Sequence, residues 1–135
     1  MSAVGGAARS ALDKLGWKQG TAVHVVARPE GLDAVPDEQA EAPELVLAFV
    51  RSVADVGPRL AEALPLYRRG GRLWFAYPKK TGAIRTDINR DQGWEPLREA
   101  ELVAVTQVAI DDTWSALRFQ YRDEVAKLTR KGEQA

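Results

Sequence analysis

Apolar positions along this chain follow two rhythms, one of period two and one of period three to four. The run Thr21-Ala22-Val23-His24-Val25-Val26-Ala27 is rich in β-branched residues, opens at Gly20 and ends at Arg28-Pro29-Glu30-Gly31. It predicts a first strand. Leu45–Val50 and Arg72–Tyr77 are apolar on both alternating faces, as in strands of a parallel α/β sheet covered on both sides. Between them Val53, Val56, Leu60, Leu64 and Tyr67 recur at helical spacing, with Ser52 placed as the cap. Gly57-Pro58 should distort the start of that helix and Pro65 should kink or shorten its end. Arg68-Arg69-Gly70-Gly71 reads as the turn into the third strand.

The flanks are less regular. Residues 1–6 are expected to be disordered, and Ser10–Leu15 fits a short helix stopped at Gly16. Residues 28–44 carry three prolines and six acids (Glu30, Asp33, Asp37, Glu38, Glu41, Glu44), which predicts an acidic loop with a helical turn around Leu32–Val35. Thr86 is placed to cap a helix with Asp87 at its positive end; Gly93 interrupts it and Pro96 starts a second turn. Leu102–Ile110 and Thr113–Tyr121 flank Asp111-Asp112 and read as an antiparallel hairpin. In Arg122–Lys131, Tyr121, Val125 and Leu128 share a helical face, with Asp123 and Lys127 four apart. Residues 122–135 are therefore a docked helix or a fraying tail. No internal repeat is present.

Strand–helix–strand order with doubly buried strands implies right-handed crossovers and a layered α/β fold. The expected architecture is one Rossmann-like three-layer domain over 1–135, with a mostly parallel five-stranded sheet closed by a C-terminal antiparallel hairpin. A chain of 135 residues suits one domain. Nineteen basic residues balance nineteen acidic ones, so no general attraction to nucleic acid or to an anionic membrane is expected. The absence of cysteine excludes disulfides and thiol catalysis. No apolar run reaches membrane-spanning length, and the small residues of Met1–Ser10 do not make a signal peptide. A cytoplasmic protein without a cofactor is the expectation.

Two resemblances sharpen this. "LGWKQGTAVHVVA" looks like the lead-in to the first strand of a class I S-adenosylmethionine-dependent methyltransferase, and "GGRLWFAYP" like its fifth, with the closing hairpin as strands six and seven. On that likeness the usual second and third strands are missing. "GGRLWFAYPKKTG", "TDINRDQGWEPL" and "VAIDDTWSALRF" together resemble a family of small bacterial proteins described only as a domain of unknown function. That resemblance runs from about Leu15 to Tyr121. It implies a methyltransferase-like fold and no established activity. The cofactor machinery itself departs from the pattern: Ala27-Arg28-Pro29-Glu30-Gly31 stands where a glycine-rich turn is needed, and no acid on a second strand is available for a ribose.

Ligands of open α/β sheets sit beyond the carboxyl ends of the strands. Topology would bring Arg28, Arg51, Lys79, Lys80, Asp111 and Asp112 to that edge. Lys79 and Lys80 suit an anion site, or simply a solvated loop; they do not form a Walker A pattern. Asp111 and Asp112 are either paired carboxylates, with Asp112 as general base, or hairpin-turn residues. Asp87, Arg90 and Asp91 at one helix start suit a cap with a local salt bridge. His24, the sole histidine, reads as a sheet residue with a satisfied hydrogen bond rather than a metal ligand. Ser52, Thr113 and Ser115 lack a nucleophile elbow. Trp74, Trp94 and Trp114 are expected in the core, and Trp17 as a clamp on the first helix.

Without the two missing strands, the first strand would be a sheet edge that invites pairing. A homodimer contact or the 28–44 loop should cover it. The leading functional expectation is a non-catalytic binding or interaction module on a reduced methyltransferase-like scaffold. The alternatives are a small enzyme acting on an anionic substrate and, behind it, an active methyltransferase.

Overall fold

The computed structural model describes residues 12–32, 35–80, 82 and 84–125. Five strands form one open sheet: β1 (Val23–Val26), β2 (Leu45–Phe49), β3 (Arg72–Pro78), β4 (Leu102–Ala109) and β5 (Trp114–Tyr121), in the order β1-β2-β3-β5-β4. β1, β2 and β3 pair in parallel, with Val23 opposite Leu45 and Leu45 opposite Arg72. β5 then inserts antiparallel between β3 and β4. The expectation of a mostly parallel sheet is corrected here: the sheet is mixed, and its longer interfaces are antiparallel. The physical reason is the last hairpin. Its second strand, not its first, pairs with β3, so β5 makes two antiparallel interfaces and β4 becomes an edge.

Every residue of β2 is buried, and in β3 only Arg72 is exposed. Their runs of Leu, Val, Phe and Trp are the central strands of the sheet because layers cover both faces. One face packs against helix α1 (Val53–Ala63), a 3-10 turn (Leu64–Leu66) and the short α2 (Glu95–Glu99). α1 buries Val56, Leu60 and Ala63 on Val46, Ala48 and Phe75. Pro58 sits within its second turn, and Pro65 turns its end into the 3-10 segment, the shortening that the prolines demand. Arg59 Nε donates to the Phe49 carbonyl at 2.8 Å and ties α1 to the end of β2.

The opposite face is thinner. Among the described residues it carries the helical turn over 12–15, Trp17, the turn holding Leu32 and Val35, and the side chains of Ile84 and Ile110. The three-layer expectation is met by a full helical layer on one side alone. Trp17 packs into this cluster, but the clamp that holds the 12–15 turn is Trp74, whose Nε1 donates to the Leu15 carbonyl at 2.8 Å.

Two expected caps are also corrected. Ser52 occupies the N-cap of α1 with an extended backbone but makes no side-chain cap bond. Asp87 accepts from the Val53 N–H at 2.8 Å instead, reaching across from a distant loop. Thr86 and Asp87 start no helix. Thr86 Oγ1 donates to the Arg51 carbonyl at 2.6 Å, so the pair stitches the loop before α2 to the end of β2. α2 starts only at Glu95-Pro96, where a proline lacking its N–H is tolerated. Trp94 anchors this loop: its ring lies 5.3–6.0 Å from Phe75, Tyr77 and Phe119, and its Nε1 donates to the Asn89 carbonyl.

The edge of β1 is sealed by the chain itself. Val25 N–H donates to the Glu38 carbonyl at 2.8 Å, and Ala40 N–H donates to the Val23 carbonyl at 2.9 Å. Gln39 Nε2 caps the Val25 carbonyl at 2.7 Å, and His24 Nδ1 meets the Ala40 carbonyl at 2.9 Å. The acidic loop therefore covers this edge, and a second copy is not needed to do it. Residues 1–6, expected to be disordered, and residues 126–135 of the expected 122–135 tail lie outside the described residues; 122–125 are helical. No helix among the described residues is long and apolar enough to cross a membrane.

Candidate functional site

The carboxyl ends of β1, β2, β3 and β4 face one edge of the sheet, as the shared direction of those strands requires. A cavity of about 220 Å³ opens there, walled by the 29–32 turn, Arg51, Ile84, Asp111, Thr113 and Trp114. That volume lies below the roughly 300–1,000 Å³ of drug-sized ligand pockets. It suits a small ligand rather than a whole nucleoside cofactor. A larger hollow, about 760 Å³, lies at the opposite end of β1 between Leu12, Trp17, Gly20 and Glu38. It is at the amino ends of the strands, away from the residues that carry chemistry.

The turn leaving β1 is built without glycine at its sharpest point. Ala27 has φ 60, a left-handed conformation that costs an alanine about 1 kcal/mol or more. Arg28 then spends its side chain inside the turn: Nε donates to the Val35 carbonyl at 2.5 Å and Nη2 to the Leu32 carbonyl at 2.8 Å. Arg28 braces the loop, and its guanidinium does not line the cavity. Arg51 does. Its backbone is fixed at both ends, by Asp55 on the N–H and Thr86 on the carbonyl. Its exposed guanidinium has no hydrogen-bond or ion-pair partner among the described residues.

Asp111 and Asp112 separate. Asp111 Oδ1 accepts from the N–H groups of Thr113 and Trp114, each at 2.8 Å. It is a turn-forming aspartate that also lines the cavity. Asp112 is exposed and has no side-chain partner among the described residues. Lys79 N–H donates to the Thr113 carbonyl at 2.7 Å and its carbonyl accepts from Gly82 N–H at 3.0 Å. Gly82 packs so closely that a Cβ there would lie 3.2–3.3 Å from Thr113 Cα and the Asp112 carbonyl oxygen. Lys79 is half-buried and Lys80 exposed; neither lines the cavity. The structure thus unites Arg51 and Asp111 at one hollow and leaves Arg28, Lys79, Lys80 and Asp112 around it.

The local salt bridge expected of Asp87 and Arg90 is absent, because Asp87 is committed to α1. The perturbed ionisations lie elsewhere. Burial, followed by its bond to Glu124, pushes the Tyr67 hydroxyl up. Burial alone would also raise the Glu124 carboxyl. The N–H of Tyr121, the hydroxyl of Tyr67 and the N–H of Gly70, with Arg69 nearby, outweigh it and hold the carboxyl below its ordinary value. This network ties the end of β5 to the 3-10 turn, a structural role remote from the cavity. Among the described residues no group of three or more His, Asp or Glu side chains is arranged to hold a metal.

The chain matches no protein-family model, no curated protein and no solved structure.

Proposed function

We propose that this protein is a binding module on a reduced methyltransferase-like scaffold, with a small anion as ligand at the carboxyl edge of the sheet and no catalysis of its own. One observation carries the reading. Arg51 lines the cavity beside Glu30 and Asp111, with its backbone fixed and its side chain without a hydrogen-bond or ion-pair partner among the described residues. A planar fork of five donors suits a carboxylate or phosphate. The strand-one turn supports the loss of cofactor chemistry: Pro29 removes a donor and Arg28 is committed to holding the turn. An enzyme using Asp112 as base draws no support from its geometry, since nothing orients that carboxylate.

The test is thermal unfolding with inorganic phosphate and pyrophosphate as probes, beside native mass spectrometry with S-adenosylmethionine. A ligand held at about 100 times its Kd stabilises the folded state by about 2.7 kcal/mol, several degrees for a domain of this size. The expected result is a rise with one of the anions, absent in Arg51→Ala, and no cofactor adduct. No rise with either anion overturns the anion site. An adduct at micromolar cofactor overturns the reduced scaffold and moves methyl transfer to first place.

A further inference from the structure

A second site lies on the far side of the sheet from β1. A hollow of about 290 Å³ runs beside the edge strand β4, with Trp94, Phe119 and Ala104 in its walls and Arg90, Arg98 and Arg122 around it. These arginines are 8 and 24 residues apart in sequence and come from a loop, from α2 and from the helical turn that follows β5. Their existing ties are weak. Arg98 Nη2 reaches only the Asp91 carbonyl at 3.4 Å, and Arg122 Nε is 3.9 Å from Glu101 across an exposed pair. Such an exposed pair holds its side chains only weakly. Arg90 has no hydrogen-bond or ion-pair partner among the described residues. Asp91 is the one carboxylate in the wall, so the hollow is cationic in a chain whose net charge is zero.

The hollow adjoins unpaired backbone. β4 has eight residues, no charge and no proline, and it pairs only with β5. Ile110 N–H bonds the Trp114 carbonyl and Arg122 N–H bonds the Glu101 carbonyl. Antiparallel alternation from those two bonds turns the N–H and C=O groups of Leu102, Ala104, Gln107 and Ala109 away from β5. An extended segment bonded to that edge would place alternate side chains over the hollow.

We infer that this edge and hollow bind an extended acidic peptide, which adds a strand to β4 and sets its carboxylates against Arg90, Arg98 and Arg122. Charge argues against the segments that flank the described residues as the occupant. Residues 1–11 carry one arginine and no acid, and residues 126–135 carry Lys127, Arg130 and Lys131 against Glu133 alone. Neither segment complements three guanidinium groups. Backbone pairing supplies affinity in such docking, and the charged side chains supply selection and on-rate.

The experiment is fluorescence anisotropy with a short labelled peptide of alternating glutamate and valine, against the same peptide with lysine for glutamate. The glutamate peptide should bind, weaken as salt rises, and lose about tenfold or more in affinity, ~1.4 kcal/mol, in Arg98→Glu/Arg122→Glu. Those two side chains are exposed, so the variant is expected to fold. Ala104→Pro, which removes an outward N–H, should also abolish binding while far-UV circular dichroism stays unchanged. Equal binding of both peptides, or full affinity in the charge-reversed variant, overturns the site. Complete displacement by inorganic phosphate would show an anion hollow without strand addition. A concentration-dependent dimer lost in Ala104→Pro would give the edge to a second copy instead.

Discussion

The two edges of the sheet are built from similar material and end differently. β1 is a short run of Val and His, and β4 is a longer run of Val, Ala, Thr and Gln. At β1 the chain folds back, and Glu38, Gln39 and Ala40 take up the outward groups of Val23 and Val25. At β4 nothing among the described residues does so. The open edge is blunted only by a register irregularity between Ala104 and Thr106 that leaves Val105 exposed. Bulges of this kind discourage indiscriminate pairing. One edge is thus closed by an acidic loop in cis, and the other sits beside a cationic hollow.

The largest effect should come from the strand both halves share. Trp74 packs on β3 at 1% exposure and holds the 12–15 turn through Leu15. Trp74→Ala is expected to destabilise the domain by about 3–5 kcal/mol in urea unfolding, in a single transition. Two separated transitions would mean that the sealed and open halves fold independently.

Next is the seal on β1. Ala40→Pro deletes the N–H that bonds the Val23 carbonyl and should cost about 1–3 kcal/mol. Val25 amide exchange should quicken, and self-association should appear at high concentration. Unchanged exchange would show that the loop is not what protects this edge.

A smaller effect is expected at the outer end of β5, where Glu124 binds Tyr67, Gly70 and Tyr121. Its carboxyl is held below its unfolded value. Its contribution is therefore complete above the usual carboxylate range of about 4–4.5 and lost as pH falls through the lower folded value. Glu124→Gln should cost about 0.5–1 kcal/mol at neutral pH, discounted for its exposure, and nothing in acid. Urea midpoints against pH for both proteins check it; curves that stay equally separated into acid would remove the carboxylate from the account.

The smallest effect belongs to the open edge. Val105→Lys, at a side chain 37% exposed, should change stability by no more than about 0.5 kcal/mol. A larger loss would reveal a cover on β4 and dissolve the contrast between the edges.

Periodicity alone located all five strands to within a few residues, because apolar runs bounded by Gly, Pro and Asp leave few other ways to bury Leu45–Phe49 and Arg72–Pro78. It also placed α1, the prolines that shorten it, and the turn role of Asp111. It assigned Arg28 to a ligand and Ser52 and Thr86 to caps, since local propensity cannot see a competing partner brought from elsewhere. Arg28 met carbonyls of its own loop, and Asp87 reached the start of α1 from across the chain.

The candidate edge was legible from strand direction, but the union of Arg51 with Asp111 depended on how the 29–32 turn and Trp114 close around them. The Arg90–Arg98–Arg122 hollow left no trace in spacing, because three separate elements converge there. The sequence determined the strands, the long helix and the acid-rich segment, each written in a short local pattern. Only the tertiary structure decided that β5 rather than β4 pairs with β3. That choice depends on which hairpin strand buries more apolar surface, and Trp114, Leu117 and Phe119 outweigh the exposed middle of β4.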